Sequence, residues 1–252
     1  MLSRWLPRAL VDGVLRRKAG FHAIDVDRYQ VRVARSVKEY EDAFRLVHAG
    51  YVYQGIESVR ASELRMTPQH LLPEATVIVA YEGNQLVGTM TVTLDSAAGL
   101  PLDKDYPGEL NALRQAGARL VEYGSLAIVE RCWHSGVTIL MNIAAYRIAH
   151  EILQASHTVI GVHPRALPVY RAIYNFEKLG AARQHAALSA PVVGVVQDMS
   201  RWPAFCWSHY RRAMPTGHLP VEHFAGLPLP CIELPMGLSR EALAQWKMSR
   251  SV

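Results

Sequence analysis

Arg119-Leu-Val-Glu-Tyr-Gly-Ser-Leu-Ala-Ile128 reads as a buried strand interrupted by one acid and one glycine. Leu120, Val121, Leu126, Ala127 and Ile128 suit the middle of a sheet, where a lone carboxylate such as Glu122 is costly to ionise. Gly124 weakens the ladder and marks a bulge or a close backbone approach by a ligand. An acid in a broken strand supplies what acyl transfer to an amine needs. Glu122 offers a base for the amine, and freed N–H groups from Gly124 to Ala127 offer donors to a thioester carbonyl. The same residues also fit an edge strand whose glutamate head is solvated.

The elements that must position this segment follow from periodicity and punctuation. Residues 29–34 alternate as a short strand, and Ser36-Val-Lys-Glu39 forms a capping box that opens a helix running towards Tyr51. Residues 51–72 are weakly periodic and polar, as in a loop covering a site. Two β-branched runs, 76–81 and 85–94, are joined by Glu82-Gly83-Asn84, a hairpin signal. A turn-rich crossing at 95–105 and a helix over 107–115 precede the strand bearing Glu122. A long amphipathic helix over 136–155, a strand over 158–162, a helix over 164–179 and a strand over 192–198 complete the pattern. Strand, helix, strand, helix at these lengths argues for a mixed sheet, hence an α/β (α+β) fold. The division expected is an arm over 1–28, a domain over 29–200 and an extension over 201–252 packed on the same domain, with two short helices and with Trp202, Trp207, His209 and Tyr210 as packing groups.

Half of the 252 residues are hydrophobic, enough to bury a substantial core. No apolar run of about 18 residues could span a membrane, and the N-terminus lacks the features of a secretory signal, so a cytoplasmic location is expected. Cys132, Cys206 and Cys231 have neither a disulfide framework nor a zinc spacing, and no metal site is expected. The first 36 residues carry eight Lys/Arg against three Asp, an excess equal to the net charge of +5. Within residues 2–20, Leu6, Leu10 and Val14 share one helical face and Arg4, Arg8 and Arg16 another. Such a basic amphipathic helix, continued by Arg17 and Lys18, suits an acidic carrier protein, an anionic membrane surface, or simply its own domain. No recognised binding motif accompanies the basic residues, which argues against a nucleic-acid partner.

His163-Pro-Arg-Ala-Leu-Pro-Val-Tyr170, followed by Asn175-Phe176, resembles the last helix of the Gcn5-related N-acyltransferase superfamily, with His163 standing for an Asn and Asn175 for a Gly. That resemblance implies a mixed, mostly antiparallel sheet flanked by helices, with N- and C-terminal helical extensions here. It also makes Tyr170 the candidate to protonate a departing thiolate. A narrower resemblance covers most of residues 30–200. Gly88-Thr-Met-Thr-Val-Thr-Leu-Asp95, Gly99-Leu-Pro-Leu-Asp103, Glu109-Leu-Asn-Ala-Leu-Arg114 and Val121-Glu122 leading to Leu126-Ala-Ile128 are similar to the long-chain N-acyl amino acid synthases of the N-acyltyrosine synthase type. These resemble acyl-homoserine-lactone synthases in turn. The resemblance implies a fatty acyl donor held as the phosphopantetheine thioester of acyl carrier protein, an amino-acid acceptor and no tightly bound cofactor.

Two departures stand out. Ser125 occupies the place where the family commonly carries an Arg. The pyrophosphate loop is poorly kept in Arg131-Cys-Trp-His-Ser-Gly136, which disfavours tight coenzyme A binding and suits the single phosphate of a carrier. The site expected is Glu122 as base, Tyr170 as acid and Ser125 beside them. Arg60 and Arg65 are the candidates for the acceptor carboxylate, and Asp95 either holds the amine or turns the chain. Leu126 and Ala127 border the reacting carbonyl, Leu140 and Met141 lie along the acyl tail, and Arg4, Arg8, Arg16, Arg17, Lys18 and Arg131 face the carrier. An acyl-homoserine-lactone synthase, a conventional acetyltransferase and a non-catalytic acyl- or carrier-binding module are the alternatives. The missing Arg and the altered loop bear on each.

Overall fold

The β-branched runs assemble into one mixed sheet in a computed structural model that describes residues 8–18, 25 and 27–202. Its strands are β1 (Gln30–Val33), β2 (Ala75–Glu82), β3 (Gln85–Leu94), β4 (Leu120–Ile128), β5 (His157–Val162), β6 (Glu177–Lys178), β7 (Arg183–Gln184) and β8 (Pro191–Asp198). The order is β1-β2-β3-β4-β5-β8-β6, with β7 also paired to β8. Every pairing is antiparallel except β4 with β5. The helices are α1 (Arg8–Lys18), α2 (Val37–Tyr53), α3 (Pro107–Gln115), α4 (Val137–Arg147) and α5 (Leu167–Tyr174). The chain thus has the mixed α/β architecture that the sequence pattern predicts.

Alternation along the strands decides which helix covers which face. Ile78, Met90, Val121 and Tyr123 join Ile139, Met141 and Ile143 of α4 in one core. Their neighbours Val77 and Val79 pack on Ala43 and Phe44 of α2, and Leu120 on Leu110 of α3, in cores on the opposite face. Ser36 caps α2 by accepting the Glu39 N–H at 3.3 Å.

Three elements differ from their sequence pattern. Residues 137–145 of α4 are buried almost all round rather than on one stripe, and the α-helix gives way to a π turn at Ile148–Ile152. The helix expected over 164–179 ends at Tyr174, because Asn175 takes a left-handed conformation (φ 56°) and the chain turns into β6. In α1, Leu10 and Val14 are exposed, while Leu15 packs on the core beneath α5. Tertiary seating of this short helix, not its own pattern, sets the buried side. The C-terminal extension lies outside the described residues beyond Trp202, whose ring packs on Tyr146 at 4.6 Å.

The crossing between β3 and α3 explains its unusual sequence. Arg114 of α3 bonds both oxygens of Asp95 (2.6 and 2.9 Å) and both of Asp103 (2.7 Å each), clamping the two ends of the crossing. Asp103 also accepts the Leu100 N–H at 2.7 Å. Gly99 has φ 68°, and a Cβ there would lie 2.9 Å from the Asp103 carboxylate. The fold so fixed delivers the Leu102 N–H to Glu122. Arg114→Met leaves two carboxylates facing one another and is expected to cost about 1–3 kcal/mol, between exposed and buried ion pairs. A urea midpoint equal to that of the wild type at pH 7 would show that the clamp is not needed.

Candidate active site

Parallel pairing of β4 with β5 stops at Glu122 opposite Val159, although both strands continue. On the other side of β4 the register with β3 slips between Thr89 and Thr91, so that Ser125 and Leu126 bulge with Ser125 at φ 49°. The strands therefore part at Gly124, as the glycine in the sequence suggests. Two cavities, of about 290 and 120 Å³, flank this opening. Both are lined by Tyr51, Tyr123, Gly124, Ser125 and His185. Leu126, Asn142, Ile160, His163 and Tyr170 line only the larger, and Glu122 only the smaller.

Glu122 is 7 % exposed. One oxygen accepts the Leu102 N–H at 2.8 Å, and the other lies 4.0 Å from where a Cβ on Gly124 would stand. Burial pushes its pKa up to about 8; the Leu102 N–H opposes this, and the charges of Asp103 and Asp105 add to it. Its range thus overlaps that of an α-amine.

Ser125 Oγ lies 3.0 Å from His70 Nε2. The Thr67 backbone N–H donates to His70 Nδ1 at 2.8 Å, which places the ring proton on Nε2. Burial, with Arg65 nearby, brings the His70 pKa down to about 4, so the ring is neutral. A histidine that donates to a serine cannot take that serine's proton. The pair is therefore not an activated nucleophile, and the Ser125 hydroxyl keeps its own proton to donate.

Tyr170 is half-buried, with its ring against Tyr174 (5.7 Å) and Phe176 (5.9 Å). Burial, reinforced by Tyr51, raises its pKa to about 12, so the phenol remains a hydrogen-bond donor at neutral pH. His163 accepts the Arg165 N–H at 3.1 Å and so caps the turn that opens α5.

The remaining sequence candidates divide. Arg65 lines the smaller cavity, where its guanidinium lies 4.8 Å from the Tyr51 ring and bonds Glu57 at 2.9 Å. Arg60 is paired with the same Glu57 and lines neither cavity. Asp95 is held by Arg114 and also lines neither, which fits its chain-turning reading. Ala127, Leu140 and Met141 are core residues outside both cavities, because their strand and helix positions point into the packed layer under the sheet or against α2. Arg131 is exposed and paired with Glu82. Lys18 is exposed, Arg8, Arg16 and Arg17 lie on α1, and Arg4 falls outside the described residues. In the altered loop, the Trp133 indole donates to the Ile128 carbonyl at 3.1 Å and its ring meets Tyr53 edge-on. His134 and Gly136 are both left-handed.

Several groups at the cavities escape a reading of the sequence. Asp105 is buried, with one oxygen on the Ala186 N–H at 2.8 Å and the other without a partner, 3.6 Å from His185 Nδ1. Burial lowers the His185 pKa, against the pull of Asp105. His70 and Lys104 are brought in from loops that carry no periodic signal. Thr91 and Thr93 were more legible, since they alternate with Met90 and Val92 and so share a face with each other.

Among family models, that of N-acyl amino acid synthase FeeM matches residues 42–198. The solved structure of FeeM, an N-acyl amino acid synthase from uncultured soil microbes, is similar over 70% of this chain and 95% of its own, at 23% identity and a TM-score of 0.62. The coenzyme A-dependent acyl-homoserine lactone synthase BjaI is similar over 79% of this chain and 99% of its own, at 16% identity and a TM-score of 0.55. The acyl-homoserine-lactone synthase LasI follows at 15% identity and 0.51, over 68% of this chain and 89% of its own. Comparison with curated proteins found no match. At these identities the structures establish a shared fold, while the family match spans well over half of the sequence: the chain belongs to the N-acyl amino acid synthase FeeM family of acyltransferases.

Proposed function

We propose that the protein transfers a medium- or long-chain fatty acyl group from the phosphopantetheine thioester of acyl carrier protein to the α-amine of an amino acid. The observation that carries this reading is the pair of cavities meeting at Gly124 and Ser125, with a carboxyl near pKa 8 on one side and a tyrosine hydroxyl on the other. The amine enters from the Glu122 side and attacks the thioester carbon presented from the larger cavity. A C–N bond forms and the C–S bond breaks. One amine proton passes to the Glu122 carboxylate, and the sulfur departs as a thiolate that accepts a hydrogen bond from the Tyr170 hydroxyl and takes up a proton from solvent. The Ser125 hydroxyl and strand N–H groups freed at the bulge hold the carbonyl oxygen as it gains charge.

The donor assignment rests on the loop at 131–136, where Trp133 and two left-handed residues replace a small, regular phosphate cradle. The catalytic unit in this reading spans residues 29–200, and the basic arm over 1–28, with Arg131, meets the acidic carrier. No helix among the described residues is long and apolar enough to cross a membrane. A cytoplasmic location, with peripheral membrane contact through the exposed Leu10 and Val14, belongs to the same proposal.

Mass spectrometry of lipid extracts from a bacterial host is the test. Long-chain N-acyl amino acids are expected with the wild type and absent with Glu122→Gln. Purified protein is then given the same acyl group on carrier protein and on coenzyme A. Equal turnover on both would overturn the carrier assignment, and no product from either would overturn acyl transfer itself.

A further inference from the structure

Gln69, Thr91 and Thr93 line the smaller cavity and are 9, 2 and 4 % exposed. Their side chains make no hydrogen bond with any described residue, and the Gln69 carbonyl oxygen is fully enclosed without a partner. Gln69 thus brings an unpaired amide, and Thr91 and Thr93 two hydroxyls open to the cavity, into one lining where a polar ligand would pair them. Strand register fixes where that ligand's polar atoms must be. Thr93 stands directly opposite Glu122 and Thr91 opposite Gly124, so both side chains share the face and the neighbourhood of the Glu122 carboxyl. Gln69 belongs to the short turn packed on β2 and β3 whose next residue, His70, touches Ser125.

The rest of the lining differs in kind. It is made by Pro101, Leu102, Lys104 and Asp105 of the crossing, with His185 and Leu188. Lys104 is exposed and has no ion-pair partner among the described residues, which leaves it for the acceptor's α-carboxylate. With the amine at Glu122 and the carboxylate at Lys104, the acceptor side chain is left to the Gln69, Thr91 and Thr93 wall. Resting on the acyl-transfer reading above, we infer that the acceptor is an amino acid with a short, neutral, hydrogen-bonding side chain: a hydroxyl or carboxamide close to Cα, as in serine, threonine, asparagine or glutamine. An aliphatic side chain would leave the Thr91 and Thr93 hydroxyls unpaired, and a carboxylate would meet the carboxyls of Glu122 and Asp105 in the same cavity. A cationic side chain would meet Arg65 and Lys104. A phenol would carry its hydroxyl past two threonines placed beside the amine.

The experiment gives the purified full chain a decanoyl thioester, on carrier protein and on coenzyme A in parallel, with an equimolar mixture of the twenty amino acids. Mass spectrometry counts the N-decanoyl products. Hydroxyl and carboxamide acceptors are expected to exceed the others by about tenfold or more, since a site built to hydrogen-bond its substrate rejects analogues that cannot. Thr93→Val and Gln69→Leu should each lower the ratio of kcat/KM for the preferred acceptor to that for alanine by about tenfold, and Thr93→Ser should restore it. Dominant products from leucine, phenylalanine or tyrosine would overturn this inference and leave acyl transfer standing. Absence of any N-acyl product with both donors would overturn acyl transfer, and this inference with it.

Discussion

Glu122→Gln lowers kcat by about 10²- to 10⁴-fold, the range a positioned general base supplies, in a protein that folds at least as well as the wild type. The carboxamide keeps the shape and can still accept the Leu102 N–H, but it cannot take a proton from the amine. The pH dependence gives this prediction its specific signature. Because burial holds the Glu122 pKa at about 8, the wild-type base is mostly protonated at neutrality. At saturating acceptor, kcat should therefore rise with pH up to about 8 and level off above it, and the rise should vanish in Glu122→Gln.

Stability runs the other way. A carboxyl whose folded pKa lies above its ordinary 4.5 contributes stability in acid that is lost as pH rises through about 8. Relative to wild type, the Gln variant should thus gain stability from pH 4.5 upward and hold that gain above about 8. Urea unfolding at pH 5 and pH 9 measures it. A Gln variant that retains turnover within about twofold of wild type would remove Glu122 from the base role and leave its burial a purely structural oddity.

Tyr170→Phe is expected to lower kcat about 10²-fold, with a smaller change in KM, as loss of one donor to a charge that forms in the transition state does. Its pKa of about 12 sets the manner of its action. A thiol near 8.5 is the stronger acid, so in the proposed reaction the phenol steadies the departing sulfur by a hydrogen bond and keeps its own proton. The loss should consequently shrink with a donor whose thiol is more acidic, such as a thiophenyl ester of the same acyl chain. The ring's contacts with Tyr174 and Phe176 are retained in Phe, so denaturant midpoints should match. Equal losses with alkyl and thiophenyl esters would mean that Tyr170 shapes the larger cavity without touching the sulfur.

Much of this architecture was legible in the residues, for identifiable reasons. The capping box at Ser36, the Gly83 hairpin and the Pro107 helix start are local signals, set by contacts within a few residues, and each element formed where its signal lies. Glu122 and Gly124 were conspicuous because an acid and a glycine in an apolar strand break two local rules at once. Asn175 is the instructive failure. Apolar periodicity carries the helix past it, although asparagine tolerates the left-handed conformation; the seating of Phe176 in the core and the pairing of β6 with β8 fix the turn there.

What the sequence alone determined is therefore the succession of elements, the position of the broken strand, and the identity of the acid within it. Those properties depend on side-chain period and backbone preference, which are carried by neighbours in the chain. Which groups surround that acid was decided only in three dimensions. Arg114 holds Asp95 together with Asp103, a pairing that no spacing in the chain specifies. His70 meets Ser125 across 55 positions, and Asp105 meets His185 across 80. Such contacts are selected by the packing of whole faces of the sheet, and their hydrogen-bond directions settle which atom donates. That is why Ser125 emerged as a donor held by a neutral histidine, a role that no spacing in the chain could specify.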